Sequence, residues 1–190
     1  MSNHARPAIA DATIFFTVSL ADRGSRLLID NIGLLRAAYG ETSRERPFRT
    51  DAVVVLPDHL HAVWTLPEGD SDYATRWRLI MARFSQRLQG GHCGVRRDRP
   101  RERAIWQGHF RERQIRDIGG LDDHVSYCWN NPVRHGLTDD PFAWSHSSIH
   151  RDMAASLRQG LRWRNRAGDI PANLRPPIQS PDWTRPPETR

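Results

Sequence analysis

The sequence predicts an α+β fold, an antiparallel sheet with helices packed on one face. Three observations lead there. A β-branched and aromatic run, residues 12–20 (ATIFFTVSL), precedes a helical pattern. Two apolar runs, 52–56 and 62–66, flank the turn pair Pro57-Asp58 and read as a hairpin. Helical spacing then returns twice, with a short strand pattern in between. The resulting order is strand, helix, strand, strand, helix, strand, helix, which suits ferredoxin-like arrangements.

Each element has its own signal. From Leu27, the residues Leu28, Ile32, Leu35 and Tyr39 keep helical spacing, with Gly40 as the expected stop. Asp72 is placed to cap a helix whose Trp77, Ile80, Met81, Phe84 and Leu88 share one face, and Gly90-Gly91 ends it. A strand is expected over 105–110. A last helix is expected over 121–131, closed by Pro132 and Gly136. These elements make one domain, residues 1–150. Residues 151–190 differ in character: they hold eight arginines against four acids, and six prolines fall in the last twenty positions. They are expected to form a short helix over 153–163 and then an irregular basic extension.

Composition narrows the function classes. All 28 basic residues are arginine and the net charge is +6, which favours a polyanionic partner, above all nucleic acid. Arginine grips phosphate with a planar two-pronged fork that lysine lacks. No apolar run approaches the roughly 20 residues of a membrane span. Residues 1–10 lack the apolar core of a secretory signal, so a cytoplasmic protein is expected. Two isolated cysteines, Cys93 and Cys128, give neither a disulfide framework nor a CxxC zinc site.

Two local patterns carry chemistry. His59-Leu60-His61 opens a strand, and strand residues two apart face the same side, so both imidazoles can reach one cation. By spacing alone, two solvated histidines at a strand end fit as well. Tyr127 and Asn131 lie four apart on a helix, setting a phenol beside an amide oxygen. A phenolate can attack phosphorus and be held as a phosphodiester. The amide oxygen suits a hard cation. A tyrosine at that spacing also fits an ordinary core position.

In combination, these segments resemble the REP-associated tyrosine transposases, single-tyrosine HUH transposases related to insertion-sequence enzymes. The stretches Leu56-Pro57-Asp58-His59-Leu60-His61-Ala62-Val63-Trp64 and Tyr127-Cys128-Trp129-Asn130-Asn131-Pro132-Val133-Arg134-His135-Gly136-Leu137 look like the two hallmark blocks. Trp106-Gln107, Phe110 and Ile115-Arg116-Asp117 fit the run between them, and Pro141 to Ser148 is similar to the closing W-x-x-S-S stretch. Arg111-Glu112-Arg113 departs from the tryptophan, glutamate and histidine usual at that place. The resemblance covers residues 12–150 and implies an HUH endonuclease-like fold.

It also implies roles. Tyr127 would be the nucleophile, forming a 5′-phosphotyrosine, and His59, His61 and Asn131 would hold a divalent metal, Mg²⁺ or Mn²⁺. The implied partner is single-stranded or hairpin DNA of repetitive palindromic elements, with monomer and homodimer both open. Candidate DNA contacts are Arg76, Arg83 and Arg87 on the second long helix, Arg96, Arg97, Arg99 and Arg101 in the loop after it, Arg116, and Arg158, Arg162 and Arg164 in the extension. Tail tryptophans Trp163 and Trp183 are candidates for base stacking. His135 reads as a structural turn residue. Two rivals are weaker. A cupin-like metalloenzyme would want a glutamate soon after His61, and Glu68 comes only after Pro67. A DNA-binding scaffold without catalysis has no need of the two histidines, the tyrosine and the asparagine together.

Overall fold

Alternation along two strands, β1 (Thr13–Ser19) and β3 (His59–Thr65), decides how the layers stack. A computed structural model describes residues 13–90 and 105–158. With β2 (Arg49–Val55) and β4 (Arg111–Gln114), these strands form one antiparallel sheet in the order β2-β3-β1-β4. Ile14, Phe16 and Val18 of β1 and Leu60, Ala62 and Trp64 of β3 point to one face, and their neighbours in sequence point to the other. Register is therefore fixed, because a one-residue slip would move the whole apolar set to the other face.

The first face is covered by α2 (Ile32–Glu45) and α3 (Tyr73–Gly90). Trp64 stacks on Trp77 with ring centroids 4.2 Å apart and on Phe48 at 4.0 Å. The Trp64 indole donates to the Tyr39 hydroxyl at 2.6 Å, which pairs in turn with Thr50 at 2.7 Å, so both of these polar tips are satisfied within the core. The second face is crossed by α4 (Ile118–Arg134), whose Leu121, Val125, Cys128 and Trp129 lie over Ala52, Val54, Leu56, Val63 and Ile115. Of the three helices expected on one face, the first two are there, while the third, α4, packs on the other.

The expected strand 12–20, the hairpin, and the helix capped by Asp72, whose carboxylate accepts from the Thr75 amide, all form. Other expectations are corrected. The first helix breaks at Asn31 into α1 (Leu27–Asp30) and α2, and α2 runs through Gly40, which is buried within it. The expected strand at 105–110 reduces to a single bridge between Trp106 and Leu20. The real edge strand, β4, comes next and exposes all four of its residues, so it offers no apolar alternation to read. Pro132 sits inside α4 instead of ending it, and the stop comes at Gly136, whose φ of 64° suits glycine. The short final helix is α5 (Ile149–Arg158), earlier than expected. It runs past position 150 with Ile149 and Met153 buried, so packed chain continues beyond that point.

The closing segment is sewn to the outer edge of β2. Trp144 donates to the Val55 carbonyl at 2.9 Å, and Val55 donates to His146. The Ser148 hydroxyl accepts from the Val53 amide at 3.1 Å and from the Trp129 indole at 3.2 Å. These bonds cover the free edge of the sheet and tie α4 to it.

Candidate active site

His59 and His61 stand on the second face of β3, opposite Ser19 and Thr17 of β1. Both are nearly buried, at 4% exposure each. The His61 Nδ1 lies 2.9 Å from the Thr17 hydroxyl, and the His59 Nδ1 lies 2.7 Å from the Asp58 carboxylate, itself paired with Arg23 at 3.0 Å. Each ring thus has its Nδ1 engaged, the usual way in which the other nitrogen is directed toward a metal. The two rings meet edge to face at 5.0 Å. Burial pushes His61 down to about 3, and it also lowers His59, with Asp58 pulling the other way. Both are held neutral, the form that ligates.

α4 brings the remaining groups. Asp117 caps its start, accepting from the Gly120 amide at 2.7 Å. Tyr127, Asn131 and His135 follow at four-residue intervals, one strip of the helix and its cap. At the near end, the Tyr127 ring lies 5.2 Å from His61 and 5.7 Å from Phe15, edge-on to both. At the far end, the ring of His135 lies 5.0 Å from that of His59. Asn131 falls between them. It is 1% exposed, and its Oδ1 is buried with no hydrogen-bond partner. A stranded buried oxygen costs about 1–3 kcal/mol, so a native fold needs a reason to keep one. A cation beside the two imidazoles would supply it. Two neutral nitrogens and one amide oxygen make a donor set that would suit a divalent ion. Among the described residues no group of three or more His, Cys, Asp or Glu side chains assembles, so the amide oxygen is the third donor on offer.

The Tyr127 side of this strip opens into a groove of about 550 Å³ between α4 and β4, lined by Phe15, Thr17, Arg111, Glu112, Arg113, Gly120, Asp123, His124 and Tyr127. Arg134, two helical turns beyond Tyr127, lies over its ring with the guanidinium carbon 5.0 Å from the centroid. Sequence reasoning missed Arg134, and it read His135 as a turn residue without its contact to His59. A signal was present: both fall at helical spacing from Tyr127. Also missed were Arg111 and Arg113, hidden because β4 itself was not recognised.

The arginine candidates divide. Arg76 is 2% exposed and corrected to a structural role: it pairs with Asp70 at 2.6 Å and donates to the carbonyls of Arg46, Pro47 and Asp72. Arg83 pairs with Glu41 and Glu45, and Arg87 with Glu41, across the α2–α3 seam on the face away from Tyr127. These carboxylates already meet their charges. Arg116 is exposed, next to the α4 cap. Arg158 ends α5. Arg96, Arg97, Arg99, Arg101, Arg162, Arg164, Trp163 and Trp183 lie outside the described residues.

No protein-family model matches the chain. A REP-associated tyrosine transposase of Escherichia coli (strain K12) is 41% identical over 170 residues, covering 90% of this chain and 93% of that protein. This chain belongs to that family. A REP-associated tyrosine transposase of Haemophilus influenzae (strain ATCC 51907 / DSM 11121 / KW20 / Rd) is 38% identical over 159 residues, 83% of this chain and 90% of its own length. A solved structure of a REP-associated tyrosine transposase bound to a REP hairpin matches with a TM-score of 0.69 at 39% identity, covering 92% of this chain and 98% of that one. No helix among the described residues is long and apolar enough to cross a membrane.

Proposed function

We propose that this REP-associated tyrosine transposase cuts and rejoins single-stranded DNA beside hairpin-forming repeats through a covalent bond to Tyr127. The observation that carries the reading is the single strip on α4: Tyr127 against His61 at one end, His135 against His59 at the other, and the unpartnered Asn131 oxygen between. The relative solved with a REP hairpin supports the substrate class.

His59, His61 and Asn131 would hold a divalent ion, Mg²⁺ or Mn²⁺. When bound, it supplies positive charge where negative charge builds on the scissile phosphate. Tyr127 Oη attacks phosphorus and forms the O–P bond of a 5′-phosphotyrosine. The bond from phosphorus to the neighbouring 3′-oxygen breaks, and that oxygen leaves as a hydroxyl. Attack by another 3′-hydroxyl reverses the step and joins new ends without ATP. The rings of Phe15 and His61 hold the phenol edge-on, so its position is fixed before substrate arrives.

A nicking assay on hairpin DNA with a single-stranded flank tests this reading. Cleavage is expected with Mg²⁺ or Mn²⁺ and should vanish in chelator. Equal cleavage in chelator would remove the ion from the mechanism.

A further inference from the structure

The groove between β4 and α4 has a wall that the proposed chemistry does not use. β4 runs antiparallel to β1 with Arg111 opposite Thr17 and Arg113 opposite Phe15. Thr17 and Phe15 belong to the face that bears His61 and Tyr127, so Arg111 and Arg113 project to that face too. Both line the groove with Tyr127 on its far side. Both are exposed, and neither side chain is hydrogen-bonded or ion-paired to another described residue. Two residues apart on a strand, they are spaced roughly 7 Å along the groove, a step that neighbouring phosphates of an extended strand can match. The groove continues past Arg113 and His124 into a second hollow of about 420 Å³ lined by Arg116. Asp123, Asp117 and Glu112 also border these hollows. Asp117 is engaged in capping α4, and Glu112 pairs in register with Phe16 of the opposite face.

We propose that this groove is the track for the single strand flanking the hairpin, with Arg111 and Arg113 gripping successive phosphates as the strand passes Tyr127. The proposal rests on the DNA-cleaving function proposed for Tyr127 and assigns its strand-holding residues. Phosphate contacts position a strand without reading its bases, so the grip is indifferent to the flank's sequence. A polar edge strand with two arginines on its site-facing side also explains why β4 carries no apolar alternation.

The test compares full-length Tyr127→Phe protein, which cannot form the adduct, with the same protein carrying Arg111→Gln and Arg113→Gln. Affinity is measured at several salt concentrations for a hairpin with its single-stranded flank and for the bare hairpin. With the flank present, the slope of log K against log salt should flatten by about 1.4, at roughly 0.7 for each single-strand phosphate no longer held. Bare-hairpin binding should be unchanged, and Arg111→Lys with Arg113→Lys should restore the slope. An unchanged slope on the flanked substrate overturns the proposal, and so does an equal loss on both substrates. If the parent protein binds neither substrate, the proposed function falls together with the groove; normal parent binding with no effect of the arginines defeats the groove alone.

Discussion

The Asn131 oxygen is buried without a donor beside two neutral imidazoles, an arrangement that lowers stability unless something binds there. Replacing it with leucine removes the unmet oxygen at similar volume. In metal-free protein, Asn131→Leu should therefore unfold at the same or higher denaturant concentration, by about 1 kcal/mol, while nicking becomes much weaker. His59→Ala and His61→Ala should abolish nicking at physiological metal levels. Denaturant melts and a metal titration of nicking check both. A leucine variant that is clearly less stable without metal would mean that the oxygen has a structural partner. The neighbouring Cys128 thiol, raised well above its ordinary range by burial, is simply core. The placement of the two histidines on one strand face, and of the tyrosine and the asparagine on one helix strip, was legible because strand and helix periodicities announce which side chains share a face. Arg134 and His135 were not, since their roles come from contacts with Tyr127 and His59 that only the packing of α4 against β3 creates.

At the scale of elements, α2 and α3 show how charge on a helix face can mislead. Arg76, Arg83 and Arg87 lie where a sequence suggests a solvated basic face, yet each finds carboxylates or carbonyls across the packed seam. Arg76→Ala would leave three carbonyls and Asp70 without their donor. It should cost about 3 kcal/mol of stability, with DNA affinity and its salt dependence unchanged below the melting transition. Chemical denaturation beside a salt series of binding measurements decides it; a flattened salt slope with intact stability would return Arg76 to the DNA interface. Strand β1, the hairpin and α3 were readable because apolar periodicity and turn residues agreed there. β4 escaped because an edge strand exposed along its whole length leaves no hydrophobic record. Gly40 and Pro132 failed as stops for a related reason: packing kept one buried inside α2 and the other buried inside α4.

The whole molecule is a sheet with a structural face and a chemical face. α2 and α3 build the core on one side, while α4 lays its strip of Tyr127, Asn131 and His135 on the other. The final stretch, residues 159–190, carries six arginines against three acids. Its removal should leave the melting transition in place, because every described element ends by Arg158. Where its arginines meet phosphates, the slope of log K against log salt should fall by about 0.7–0.9 for each such pairing. An unchanged slope would mean that the extension's charge does not touch DNA. The central claim is that Tyr127 bears the DNA, and the most direct measurement is to trap and map the covalent adduct. Wild-type protein incubated with flanked hairpin DNA and Mg²⁺ should yield a denaturant-resistant complex whose DNA-bearing peptide contains Tyr127. Tyr127→Phe should bind the same DNA and give no adduct. An adduct at normal yield in the phenylalanine variant, mapped to another residue such as Tyr73, would contradict the account.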